Sequence, residues 1–294
     1  MVSMGNWIRS HRVASFFLLA YAISWSLDAA VLILGTEPSW TRWIISGFLS
    51  ALGPAIAAGI VLSISGESLR GWLRRVVRWR VHPKWYAAAI GVPVIVALGS
   101  GAVLQLVGGP VEFASFAFDP VSLGIGILLG TTIGGGQEEL GWRGFAQPEL
   151  QEQYGGLRAA VIVGVLWGSW HLPLFFDPTV IHSQWPLQSQ LAYFVGIVAF
   201  SILIAWVYNG SGGSILLAML MHGAENAAGG LVPLDLERAI VEGVPDWVAL
   251  APMNVSHAVF MWLLALVAIG ATGTGLLARR EMRERRDSST TRGV

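Results

Sequence analysis

The sequence predicts an all-α membrane protein, a polytopic bundle of about eight transmembrane helices with N- and C-termini both on the cytoplasmic side. Three observations carry that expectation. Of 294 residues, 54% are hydrophobic and only 12% charged, where soluble domains run near a quarter charged; the mean hydropathy is +0.62. Apolar stretches recur that approach or reach the roughly 20 residues needed to cross a hydrocarbon core. The basic residues then fall almost wholly on one side of the spans so defined.

Taken in order, the apolar stretches are Val13–Leu34, Trp43–Ser65, Tyr86–Leu106, Val121–Gly135, Leu157–Phe176, Leu191–Tyr208, Ser214–Leu231 and Val255–Leu277. The first follows Arg9 and Arg12, and its Ala20-Tyr21-Ala22 resembles a signal-peptide cleavage site. Apolar sequence continues to Leu34, however, which predicts an uncleaved signal-anchor helix. The fourth stretch is short and glycine-rich, and can continue as helix through the charged segment after it. With the N-terminus inside, 16 of the 18 basic residues are cytoplasmic, and only Arg42 and Arg238 lie outside. A missed or extra span would scramble that split. The whole chain, 1–294, reads as one membrane-embedded domain of a multi-pass protein of the bacterial plasma membrane.

Composition also excludes several function classes. Fourteen Trp, 12 Phe and 5 Tyr rule out a disordered chain. The absence of cysteine removes thiol catalysis, disulfides and thiolate metal sites. Eighteen basic and 18 acidic residues cancel, so net charge suggests no nucleic-acid partner. Segment 69–85 interleaves arginine with Trp72, Val76, Val77 and Trp79 and predicts a basic amphipathic helix on the inner leaflet. Residues 279–294 read as a short cytoplasmic basic tail.

Charged and histidine side chains inside spans are costly and therefore candidates for function. They comprise Asp28, the Glu138–Glu139–Arg143 cluster, His171, His222, Glu225, Asn226 and His257. On a helix, Glu139 and Arg143 stand four apart and can pair. Glu138 points about 100° away and lacks that partner. Two adjacent carboxylates in a low-dielectric setting cannot ionise equally, so the arginine-paired one keeps its charge and the other is free to accept a proton. The bland reading, solvated charges in a loop, is weakened by the membrane-like run 131–136 before them. His171 follows Trp167 by one turn in the fifth span, where Pro173 bends the helix and can open polar space. A lone histidine there is most often an interhelical hydrogen-bonder. His222 and Asn226, four apart, share a face in the seventh span, and bundle glue is their bland reading. Together the clusters supply a carboxylate, two imidazoles and a carboxamide, the parts needed to activate water and hold an oxyanion.

The ordered set Glu-Glu-x-x-x-Arg, aromatic-x-x-x-His and His-x-x-x-Asn resembles the CAAX prenyl endopeptidase and bacteriocin-processing family, the Abi-type intramembrane glutamic proteases. The resemblance covers about 121–231, with roughly 28 and 51 residues between the motif positions 143, 171 and 222. It implies an intramembrane endopeptidase of CAAX or peptide-maturation and self-immunity type. By position, Glu138 would be the catalytic glutamate and His171 its partner in activating water. His222 and Asn226 would stabilise the oxyanion, with Glu139 and Arg143 as support. Trp167 stands where the family usually has Phe, an apolar wall in either case. Implied partners are the lipid bilayer and a membrane-associated peptide or protein substrate, lipidated or not, and no cofactor is implied. Two rival readings stay open: a zinc protease with Glu138, His171 and His222 as ligands, although no His-Glu-x-x-His is present, and a non-proteolytic transporter or membrane partner.

Overall fold

The computed structural model describes residues 4–33 and 39–278. Leu34, the expected end of the first span, and the basic tail 279–294 lie outside the described residues. The chain forms helices α1 (Arg12–Ile33), α2 (Trp40–Ile64), α3 (Pro83–Leu106), α4 (Pro120–Thr132), α5 (Gln147–Tyr154), α6 (Gly156–Trp170), α7 (Leu187–Gly210), α8 (Ile215–Ala228) and α9 (Trp247–Thr272). Each of the predicted apolar stretches is helical over most of its described length. Helices α1, α2, α3, α7 and α9 have 22 to 26 residues and are apolar enough to cross a membrane. Helices α4, α6 and α8, with 13, 15 and 14 residues, are shorter than a full crossing. These three short helices, with the turn after α4, carry the polar motifs.

Packing is organised around α7 and α8. Helix α7 lies between α6 and α9, α8 lies between α3 and α4, and α1 packs on α2. The span window of α7 is 67% buried, against 22% for α1, which makes α7 the central post and α1 a peripheral one. Helices α4 and α8 meet backbone to backbone: a Cβ built on Gly223 would lie 2.3 Å from the Thr131 nitrogen, and one on Gly130 would lie 2.7 Å from the Gly223 carbonyl oxygen. Small residues at a helix crossing allow that approach. It brings the turn after α4 against the face of α8 that bears His222 and Asn226.

Helix starts follow local chemistry. Asp119 caps α4 by accepting from the Val121 and Ser122 N–H groups at 2.9 and 3.2 Å, with Pro120 in the first turn. The Ser122 hydroxyl and those N–H groups hold the Asp119 carboxyl below the usual carboxylate range. Ser214 caps α8 in the same way. Helix α4 does not run on into the charged segment. It stops at Thr132, and the chain turns through Gly135 at φ +116°, a conformation that glycine permits. From there it re-enters helix as a 3-10 turn Gly136–Glu138, an α turn, a π segment Trp142–Ala146 and α5.

Two expectations are corrected. The fifth span does not bend at Pro173 and continue to Phe176: α6 ends at Trp170, His171 is its C-cap, and Leu172–Phe175 forms a 3-10 turn. Proline offers no N–H and disfavours α conformation in the residue before it, so the α ladder ends there. His171 thus stands at a helix end rather than within a helix. Segment 69–85 is also not one amphipathic helix. Leu69–Leu73 is helical, turns follow, and α3 begins at Pro83. Its side chains are drawn onto the protein instead: Trp72 donates its indole N–H to the Leu140 carbonyl at 3.1 Å, and Arg75 donates to Gly144 O at 2.5 Å and Tyr208 Oη at 3.1 Å. Arg78 donates to the Gly212 carbonyl. The segment clamps the helical turn that bears Glu138–Arg143.

A two-stranded hairpin, Ile240–Val241 with Val244–Pro245, lies between α8 and α9. Glu242 and Gly243 both have positive φ at its turn, +53° and +80°, the twist that two-residue hairpins favour.

Candidate active site

The stretch Gln137–Arg143 is not a solvated loop. Glu138 is 4% exposed, and Glu139 and Arg143 are completely buried. The two glutamates have different partners. Arg143 Nη1 donates to both Glu139 oxygens, at 3.1 and 2.9 Å, the pairing predicted from their spacing of four. The other Glu139 contact is His222 Nδ1, 2.9 Å from Oε1. Arg143 Nη2 reaches α7, donating to the Ser201 hydroxyl at 2.8 Å and carbonyl at 3.3 Å, while the Ser201 hydroxyl donates to Ala160 O on α6 at 2.7 Å. The guanidinium also lies over the Trp167 ring, 5.0 Å from its centroid. One ion pair therefore ties α6, α7, α8 and the turn together.

Among the described residues, Glu138 makes no ion pair. Its Oε2 accepts the indole N–H of Trp167 at 2.7 Å and that of Trp142 at 3.2 Å. Trp167 is thus more than the apolar wall that the sequence suggests: it is a donor, which phenylalanine could not be. Trp142 escapes sequence reasoning, although its spacing of four from Glu138 is a legible signal. Ser201, which anchors Arg143, carries no such signal, because its partner lies 58 positions away in the chain. We expect Trp167→Phe to lower turnover of any cleaved substrate about tenfold without unfolding the protein, since a hydrogen bond to a charged group contributes about 1.5–3 kcal/mol and Trp142 still donates. Steady-state rates with a thermal melt check this, and an unchanged rate would remove Trp167 from the site.

The imidazoles are oriented by backbone and carboxylate. His171 Nδ1 lies 2.9 Å from the Trp167 carbonyl. A carbonyl only accepts, so Nδ1 carries the proton and Nε2 is left with its lone pair. His222 Nδ1 faces a carboxylate, so Nδ1 is protonated there as well, and Nε2 turns toward the turn after α4. Asn226 Nδ2 donates to Gly134 O at 2.5 Å. A Cβ built on Gly135 would lie 2.8 Å from both Asn226 Nδ2 and His222 Nε2. The two nitrogens therefore converge on one small space that a glycine keeps open.

A cavity of about 480 Å³ joins these groups. Glu138, Trp167, His171, His222 and Asn226 line it, whereas Glu139 and Arg143 lie behind its wall. Of the residues left without a role by the sequence, Asp28, Glu225 and His257 line the same cavity. Among the described residues, no group of three or more His, Asp or Glu side chains is placed to hold a metal ion.

Fold and site together define a membrane-embedded helix bundle whose buried glutamate and histidine side chains share one cavity. Residues 120–228, from the start of α4 to the end of α8, match the family described as Type II CAAX prenyl endopeptidase Rce1-like. The chain is also similar to CAAX prenyl protease 2 of Methanococcus maripaludis, 34% identical over 147 residues. That alignment spans 49% of this chain and 51% of the relative, so the chain matches about half of that protein's length. The family match covers the same region as the resemblance carried by the three motifs. The matched region holds every motif residue.

Proposed function

We propose that this protein is an intramembrane endopeptidase that hydrolyses peptide bonds with a glutamate- and histidine-activated water. The observation that carries the reading is Glu138: a buried carboxylate in no ion pair among the described residues, held by two indole N–H groups on the wall of a cavity that His171, His222 and Asn226 also line. The similarity of residues 120–228 to the Rce1-like endopeptidases supports it.

In this mechanism Glu138 accepts a proton from water and His171, through Nε2, accepts a hydrogen bond from the same water. The water oxygen bonds to the scissile carbonyl carbon, and negative charge moves to the carbonyl oxygen. Asn226 Nδ2 and His222 Nε2 donate to that oxygen. Donation from Nε2 requires His222 as imidazolium, whose Nδ1–H then donates to the Glu139 carboxylate. The carbon–nitrogen bond then breaks as the proton held by Glu138 passes to the leaving amine. Glu139 and Arg143 orient His222 from behind. We expect Asn226→Ala to retain a measurable remnant, with a fall of about 10²–10³ in rate, the usual cost of one oxyanion donor. Unaltered turnover in that variant would displace Asn226 from the role.

The substrate, on this reading, is a membrane-associated peptide or protein, and 121–231 is the catalytic core of a single domain. Both termini lie on the cytoplasmic face of a bacterial plasma membrane. The test is cleavage of a panel of membrane-delivered peptides, prenylated and unprenylated, by the purified protein with and without a metal chelator. Cleavage indifferent to chelator supports the glutamate mechanism, whereas chelator-sensitive cleavage would recast Glu138, His171 and His222 as metal ligands.

A further inference from the structure

The cavity that holds Glu138 has a second polar station. Next to Asn226 on α8, Glu225 places Oε1 2.6 Å from Nε2 of His257 on α9, and its side chain is 14% exposed. Both residues line the cavity. Glu225 Oε2 is buried and has no hydrogen-bond partner among the described residues. Asp28 on α1 repeats the pattern: Oδ2 accepts from the Ser50 hydroxyl at 3.1 Å, and Oδ1 is buried without a partner. The Ser189 hydroxyl, completely buried on the same cavity wall, is also unpartnered.

A buried acceptor without a donor is costly, and more so when it bears charge. His257 satisfies one oxygen of Glu225, and the side chains around the other offer it no donor. The cavity lining contains three carboxylates, those of Asp28, Glu138 and Glu225, and neither lysine nor arginine. A group that brings N–H donors and positive charge matches the open carboxylate oxygens of Glu225 and Asp28. Buried charged groups in membrane proteins commonly mark where a substrate is received.

We propose that Glu225, held in place by His257 and assisted by Asp28 across the cavity, is a specificity site for a basic side chain of the bound peptide. Because Glu225 adjoins Asn226, that lysine or arginine lies within a few residues of the scissile bond. The inference rests on the endopeptidase reading for the ligand being a peptide.

The test uses the full chain in lipid nanodiscs, in the Glu138→Gln background, so that binding is read without cleavage. Fluorescent apolar peptides carry a single lysine or, in the matched control, norleucine, scanned along the sequence. Lysine at one register is expected to strengthen binding on the order of tenfold, as one hydrogen bond to a charged group allows. Adding Glu225→Gln should abolish that preference, Glu225→Lys should shift it toward a glutamate-bearing peptide, and Asp28→Asn should weaken it a few-fold. No register at which lysine exceeds norleucine, or a lysine preference that survives Glu225→Gln, overturns the proposal. Cleavage by the unmutated protein is scored separately. Lysine-selective binding without cleavage of any peptide would sink the endopeptidase reading and leave the cationic site standing, and unselective cleavage would do the reverse.

Discussion

Glu138→Gln is expected to abolish peptide cleavage while leaving the fold intact. Glutamine is isosteric, and its amide oxygen can still accept the Trp167 and Trp142 N–H groups that now bind Oε2. What it loses is the capacity to take a proton. General-base catalysis contributes about 10²–10⁴ in rate, so a loss in that range or beyond the detection limit is expected, with an unchanged melting temperature. His171→Ala should fall similarly. It removes the Nε2 lone pair, and Trp167 keeps its own place in α6 because its carbonyl, rather than its side chain, holds His171. Cleavage at the unmutated rate in Glu138→Gln would end the assignment, and a lowered melting temperature with proportionate loss would make Glu138 a structural residue.

The second large effect is on stability. Arg143→Met leaves the Glu139 carboxylate completely buried with His222 as its one remaining ionic partner, and it also strands the Ser201 hydroxyl and carbonyl. Breaking one side of a buried ion pair costs about 3–5 kcal/mol. Glu139→Leu should cost a similar amount by stranding the guanidinium. The double variant is expected to be more stable than the sum of the two singles predicts, because it removes both charges and leaves apolar groups of similar size. Unfolding of the purified protein in a detergent titration measures all three. Additive losses, or an Arg143→Met protein as stable as the original, would show that the pair does not hold the helices. Both singles should also cut activity, since His222 loses the carboxylate that orients it.

The fold and the site were legible to different depths. Apolar runs marked every helix that the structure contains in those regions, since in lipid each backbone polar group must be satisfied within its own helix. Spacing of four marked the Glu139–Arg143 pair, because neighbours on one helical face are set by local geometry alone. Helix lengths were less legible. α6 stops at Trp170 because of Pro173, and α4 stops at Thr132 ahead of the Gly135 turn, where hydropathy alone ran on. The basic segment 69–85 misled for a tertiary reason. Its arginines and Trp72 find carbonyls on the Leu140–Gly144 turn and on Gly212, and those bonds outcompete a regular surface helix.

By itself, the sequence determined which residue types reach the membrane interior and in what order: Glu138, Glu139 and Arg143, then His171, then His222 and Asn226. Tertiary structure alone decided what each of them faces. Only the α4–α8 glycine crossing brings His222 to Glu139 and sets its Nε2 and Asn226 Nδ2 around Gly135. Only the end of α6 against the turn adds the Trp167 indole N–H to the Trp142 donor that local spacing already sets beside Glu138. Glu225 found His257, and Asp28 found Ser50, across helices that no local spacing connects. The division has a plain physical cause: helix formation and membrane insertion depend on short-range hydrogen bonding and transfer energy, whereas contacts between helices depend on where small residues let backbones approach.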